Sequence, residues 1–223
     1  MTKKGCLITF SGTDGAGKST QISILKNKIK SKGLRCFVLW ARGGYTYNFE
    51  VLKKLIRLVF NKHIPPSGKN KDRTSAMANP LVARIWLNLA ILDLCFYWII
   101  ILRLKLFQGY YVICDRFIED TTLDFKNNFP NIKFEKMFLW RLLSVLRCKP
   151  DLSFLLYVSP EISIIRSKIK NEPFPDDLKT LNWRLNSYLS EECLKKSNFI
   201  IINTEQSLNE TSLIIQRSIA IIK

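Results

Sequence analysis

The chain has 223 residues, of which 47% are apolar, and its 35 Lys and Arg against 18 Asp and Glu give a net charge of +17. That length suits one α/β domain with room for little more than a short lid, and the apolar fraction is that of an ordinary soluble protein. A single histidine, His63, and six cysteines scattered without a C-x-x-C pair argue against a histidine-based triad or a zinc site. Dispersed thiols fit a reducing compartment, and Met1 leads into the first strand without a cleavable leader pattern, so the expected location is cytoplasmic.

Residues 6–10 are an apolar run, as in a strand covered on both faces. They lead into Gly12-Thr13-Asp14-Gly15-Ala16-Gly17-Lys18-Ser19, which fits G-x-x-x-x-G-K-[ST] between a strand and a helix. Such glycines let backbone amides turn inward around a phosphate, and the following helix aims its positive dipole end at the same point. The motif predicts an ATP site made by Gly12, Asp14, Gly15, Ala16, Gly17, Lys18, Ser19 and Thr20, with Lys18 on the transferred phosphoryl group and Ser19 on Mg²⁺.

The apolar stripe Ile22, Ile24, Leu25 and Ile29 predicts a helix over 19–32, stopped by Gly33, and a second strand over 35–40. Arg42 follows at the carboxyl end of that strand, the edge at which open α/β sheets bind ligands, so it is placed to meet an anion. Residues 49–60 read as an amphipathic helix and 61–78, with Pro65-Pro66-Ser67-Gly68, as a loop. Residues 80–107 are apolar on nearly every face and close to bilayer length. Asp93 at the centre of this run argues against stable membrane insertion. A helix buried by the sheet on one side and by a second copy of the chain on another accounts for the pattern, which predicts a homodimer.

A third strand over 110–114 ends in Asp115-Arg116. A carboxylate at a strand end facing the phosphate loop suits a water-bridged magnesium, and an adjacent arginine can hold phosphate. Glu119, Asp120 and Asp124 form an acidic cluster just beyond. A helix over 132–146, a strand over 152–158 and a helix opened by Ser159-Pro160-Glu161 come next. Arg166, Lys168 and Lys170 then lead into the Pro-broken stretch 171–175, a basic segment of lid type, with the lid drawn over about 166–178. A helix over 178–197, a strand over 199–203 and a helix over 207–223 complete the chain. The order predicts a single-domain, three-layer P-loop fold around a five-stranded parallel sheet. The basic residues are spread along the chain. That suits a solvated positive surface, and it leaves nucleic acid as an alternative partner.

Taken together, the words resemble the thymidylate kinase family of nucleoside monophosphate kinases. The stretch Phe10 to Gln21 is similar to that family's F-E-G-x-D-G-A-G-K-S-T-Q. Gly109 to Phe117 is similar to its G-x-x-V-I-x-D-R-Y, and Lys149 to Arg166 to its K-P-D-L-x-F-x-L-x-V-x-P-E-x-A-x-x-R. The resemblance implies ATP- and Mg²⁺-dependent phosphorylation of a nucleoside monophosphate, dTMP to dTDP. Asp14 then faces the acceptor sugar, Lys18 and Arg116 hold phosphoryl groups, Ser19 and Asp115 hold magnesium, Arg42 takes the acceptor phosphate and Arg166 belongs to the lid. The base-reading words differ. Asp93 matches the Asp of the family's Phe-x-x-Asp-Arg, but Ala90 stands for its Phe and Leu94 for its Arg. Asp120 and Asp124 stand at its Ser and Tyr positions, so Asp93 and Asp120 are counted with the acceptor site. The departures keep open two alternatives, a relative acting on a different acceptor and a nucleic-acid-binding NTPase.

Overall fold

The computed structural model describes residues 5–43, 46, 49, 79–171 and 176–220. The expected helix over 49–60, all but its first residue, the loop over 61–78 and the 172–175 part of the lid lie outside them. The chain divides into two compact units, Met1–Trp40 with Leu104–Leu123 and Lys149–Lys223, and Ala41–Arg103 with Asp124–Cys148.

The first unit is built on a five-stranded sheet, β1 (Cys6–Gly12), β2 (Cys36–Trp40), β3 (Tyr111–Asp115), β4 (Leu152–Tyr157) and β5 (Ile200–Asn203), in the order β2-β3-β1-β4-β5. Every neighbouring pair is parallel, and the register sets Phe10 opposite both Asp115 and Phe154. Central β1 is buried at every position, which is why Cys6–Phe10 is apolar save for Thr9, whose hydroxyl donates to that of Ser153. Strand alternation decides what each face meets. Cys6, Ile8 and Phe10 point into a core closed by Ile22, Leu25 and Ile29 of α1 (Lys18–Ser31) and Ile215 of the last helix, Leu208–Ala220. Full burial of each of these side chains stabilises the fold by roughly 1.5–3 kcal/mol. Ser11 has the opposite parity. Its register partner Leu155 packs with Leu123 and Tyr188 on the other face.

The helix Pro80–Phe107 begins with Asn79, whose side chain accepts from the amides of Leu81 and Val82, and Pro80 takes the first turn, where its missing N–H costs nothing. It runs as α-helix over Pro80–Cys95, π-helix over Phe96–Ile101 and α-helix over Leu102–Phe107. By length and composition this helix could cross a membrane. Its most apolar window has a mean hydropathy of 2.1, and 33% of that window is buried. Ala83, Leu87, Ala90, Ile91, Leu94 and Trp98 make its buried face, and Leu81, Ile85, Leu92, Phe96 and Ile100 are exposed.

In the second unit the core is aromatic. Trp86 packs on Phe49, Phe125 and Phe129, and Phe125 also meets Phe134 and Trp140. Two expected helices are broken. Residues 132–146 form a 3₁₀ turn, Phe134–Lys136, and a helix, Phe138–Leu146, while 178–197 splits into Leu178–Tyr188 and Glu191–Ser197. The second break has a local cause, since the Ser190 hydroxyl caps a new helix by accepting from the Cys193 amide.

Candidate active site

The phosphate loop leaves the carboxyl end of β1 through Gly12, whose φ is 134°. A Cβ there would lie 1.8 Å from the carbonyl oxygen of Leu156, so only glycine lets β1 and β4 close up at this point. Gly17, with φ 76°, turns the chain into α1, and a Cβ there would meet nothing within 4 Å. Open space above a left-handed turn at a helix N-terminus is where an anion can approach the amides. Between these glycines the Ala16 amide donates to the Thr13 carbonyl at 3.3 Å, tightening the loop. Ser19 and Thr20 lie exposed on the first turns of α1.

Lys18 is almost wholly buried, and its Nζ donates to the carbonyls of Gly12 at 2.9 Å and Thr13 at 2.6 Å. Burial, then the nearby Arg116 charge, lower its pKa from 10.5 to about 8 against the opposing pull of Asp14, Asp120 and Asp115. An ammonium so destabilised gains from the arrival of an anion. Arg116, whose positive φ of 75° is rare outside glycine, donates its amide to the Phe10 carbonyl and its guanidinium to Asp14. The strand end is thereby pinned beside the loop.

Asp115 is half-buried, and burial raises its pKa while Lys18 and Arg116 lower it. Its carboxylate makes no hydrogen bond among the described residues, so its oxygens are available for a water-bridged cation. Ser19 adds an exposed hydroxyl, giving an all-oxygen donor set. No group of three or more His, Cys, Asp or Glu that could hold a metal forms among the described residues. One carboxylate and one hydroxyl, completed by water and substrate phosphates, is the environment Mg²⁺ favours over an all-protein cage, so these residues fit it.

Asp120 lies one helical turn beyond Arg116, in the helix Ile118–Asn128, and is 0% exposed. Its carboxylate accepts from the Ser11 hydroxyl at 2.6 Å, the Tyr188 hydroxyl at 2.8 Å, the Phe117 amide at 3.1 Å and the Gly12 amide at 3.4 Å, and pairs with Arg116 at 3.5 Å. The structure therefore places this predicted acceptor residue beneath the phosphate loop, where it joins β1 to the Asp115-Arg116 strand end. Arg166, expected in the lid, is held against the loop. Its Nη1 donates to the Gly15 carbonyl at 3.2 Å and its Nη2 to that of Thr204 at 3.0 Å. Ser163 donates to the Asp14 carbonyl and Thr204 to that of Ala16. Sequence reasoning missed Ser11, Ser163, Tyr188 and Thr204. Ser11 and Ser163, inside two of the resembling stretches, carried a local signal, whereas Tyr188 and Thr204 lie outside them.

In the second unit Arg42 and Asp124 form a two-pronged ion pair, Nε to Oδ2 at 2.6 Å and Nη2 to Oδ1 at 2.9 Å, with the carboxylate nearly buried. Asp93 accepts from the Thr46 hydroxyl, which in turn accepts from the Phe49 amide at 3.2 Å. Burial raises the Asp93 pKa, and the Thr46 hydrogen bond works against it. Gly43 packs so closely that a Cβ would sit 2.8 Å from the Phe125 ring and 3.3 Å from Leu94. Ala90 and Leu94 are both fully buried.

A parallel sheet whose central strand delivers a Gly-Lys-Ser phosphate loop, with Asp115 and Arg116 brought beside Lys18, defines a P-loop nucleotide kinase. The fold is that of thymidylate kinase from Ehrlichia chaffeensis, matched over 97% of this chain and 99% of that one with a TM-score of 0.57 at 18% identity. No family model matches the sequence. Among curated relatives, thymidylate kinase from Magnetococcus marinus is 30% identical over 167 residues, 74% of this chain and 70% of that protein. The same enzyme from Caldicellulosiruptor saccharolyticus is 29% identical over 180 residues, 81% of this chain and 77% of its own length. That from Sulfurihydrogenibium sp. is 26% identical over 216 residues, 96% of this chain and 97% of its own. The chain belongs to the thymidylate kinase family.

Proposed function

We propose that the chain transfers the γ-phosphoryl group of ATP, with Mg²⁺, to a nucleoside monophosphate, and that dTMP is the acceptor. The observation that carries this reading is the convergence of Lys18, Asp115 and Arg116 on an open, glycine-turned phosphate loop. An oxygen of the acceptor phosphate attacks the γ-phosphorus, the bond from that phosphorus to the β–γ bridging oxygen breaks, and ADP leaves. No covalent nucleophile from the protein is needed, so positioning and charge neutralisation suffice. Lys18 and Arg116 take the charge that builds on the phosphoryl oxygens. Ser19 and Asp115 hold the magnesium, which when bound neutralises the donor phosphates. Asp14 turns to the acceptor sugar and Arg42 to its phosphate, with Asp93 in the same acceptor set.

One observation favours a second reading, a family member acting on a different acceptor. Ala90 and Leu94, at the positions where the family's base-reading Phe and Arg are expected, are buried and apolar. A site lacking a hydrogen-bonding partner for the base edge loses discrimination, not chemistry. A panel of nucleoside monophosphates assayed with ATP and Mg²⁺ separates these readings. The highest kcat/KM for dTMP supports the first, turnover confined to another acceptor supports the second, and diphosphate product from none refutes the first and leaves the second to an acceptor outside the nucleoside monophosphates.

The exposed apolar residues of Pro80–Phe107, together with exposed Phe138 and Val145 of the helix Phe138–Leu146, fit the expected homodimer. A monomeric mass in sedimentation at micromolar concentration would remove that part of the proposal.

A further inference from the structure

We infer that the first unit carries a second ligand site, for a small amphipathic anion, at the sheet edge opposite the phosphate loop. A cavity of about 110 Å³ is lined by Leu25, Lys28, Ile29 and Lys32 of α1, by Leu34 and Tyr111, and by Gln216, Ile219 and Ala220 of the last helix. Helical spacing explains the two long walls. Residues 25, 28, 29 and 32 share one face of α1, and residues 216, 219 and 220 share one face of Leu208–Ala220. Tyr111 opens β3, whereas the phosphate loop leaves the other end of its neighbour β1, so the two sites lie at opposite edges of the sheet.

The chemistry of the walls selects the ligand. Leu25 and Ile29 belong to the buried core, and Leu34, Tyr111 and Ile219 pack against it, so the floor is apolar. Lys28 and Lys32 are exposed, and neither forms an ion pair among the described residues. Lys28 donates to the neutral amide oxygen of Gln216, and no carboxylate among the described residues pairs with it. No carboxylate is among the described lining residues. An apolar floor beneath the exposed ammonium groups of Lys28 and Lys32 favours a short hydrocarbon or aromatic group ending in a carboxylate. An engineered cavity of about 150 Å³ accommodates benzene, so about six carbon atoms is the scale of the apolar part. The site uses no residue of the phosphate loop and stands independently of the kinase reading.

Titrating the full-length protein with hexanoate, and following methyl NMR signals of Leu25, Ile29, Leu34 and Ile219, tests the assignment. Hexanol keeps the chain without the charge, hexylammonium reverses the charge, and acetate removes the chain. Hexanoate is expected to shift these methyls and to bind more tightly than the other three. Lys28→Gln with Lys32→Gln should weaken hexanoate about tenfold, two partly exposed charge contacts together, and leave hexanol unchanged. Ala220→Trp, at an exposed position, should fill the mouth and weaken both. Hexylammonium binding as well as hexanoate would overturn the inference. So would hexanoate binding unaffected by either variant, or shifts confined to residues of the phosphate loop.

Discussion

Replacing Asp120 by Asn keeps the shape of a fully buried side chain and removes its charge. The native carboxylate receives hydrogen bonds from Ser11, Gly12, Phe117 and Tyr188, and it pairs with Arg116. An amide offers one acceptor oxygen, and its NH₂ group must face either the Phe117 amide or the Gly12 amide and Arg116, none of which can accept, although the Ser11 and Tyr188 hydroxyls can. Hydrogen bonds to a charged group are each worth about 1.5–3 kcal/mol, and breaking a buried ion pair from one side costs about 3–5 kcal/mol. Part of the network survives on the remaining oxygen, so Asp120→Asn should destabilise the protein by about 3 kcal/mol. Tyr188→Phe removes one donor and leaves the carboxylate otherwise satisfied, so about 1–2 kcal/mol is expected for it. The two changes share one contact and should be less than additive when combined. Urea denaturation followed by far-ultraviolet circular dichroism at neutral pH measures all three variants. An Asp120→Asn loss below about 1 kcal/mol, or a Tyr188→Phe loss equal to it, would refute the view of Asp120 as the group that ties the phosphate loop to the Asp115-Arg116 strand end.

Lys18, with its pKa lowered to about 8, is partly neutral above that pH in the free protein, and a bound polyphosphate restores its proton. Binding of ATP between pH 8 and 10 should therefore take up protons and weaken as pH rises, which calorimetry in buffers of different ionisation enthalpy detects. Zero uptake in that window, or equal uptake in Lys18→Met, would contradict it. Gly12→Ala puts a methyl 1.8 Å from the Leu156 carbonyl at a φ of 134°, and should abolish soluble folded protein or lower stability by more than about 3 kcal/mol, as read from thermal denaturation. Gly43→Ala meets the edge of the Phe125 ring at 2.8 Å, where a side chain can yield more than a backbone can, so about 1–3 kcal/mol is expected from the same measurement.

The sheet was legible because its signals are short in sequence. Apolar runs at 6–10, 35–40, 110–114, 152–158 and 199–203 each lie within a residue or two of an observed strand, and turn glycines and caps mark their ends. Elements whose boundaries depend on competition were less legible. The run 178–197 is helical in periodicity throughout, yet Ser190 followed by Glu191 and Glu192 is a helix-start signal strong enough to divide it. The π-helical stretch Phe96–Ile101 left no trace in an all-apolar sequence. Wherever every face is hydrophobic, periodicity carries no phase, and packing around buried Trp98 is free to set it.

The same distinction runs through the site. The phosphate loop is legible because its function lies in backbone conformation over eight adjacent residues, and glycine spacing records that directly. Asp115 and Arg116 are adjacent at a strand end, and parallel pairing with β1 suffices to carry them to the loop. The resemblance counts Asp120 with the acceptor site, but its direction is fixed by parity, because Ser11 and Leu155 turn to the face on which Tyr188 waits. That partner lies 68 residues on, beyond the reach of any local pattern. Arg42 and Asp124 are 82 residues apart and Gly43 fits Phe125 across a similar gap, so these contacts are chosen by tertiary complementarity. A motif can therefore specify the chemistry of phosphoryl transfer in a dozen letters. The surroundings of Arg42, Asp93 and Gly43 are distributed over residues that become neighbours only after folding, and no local word records them.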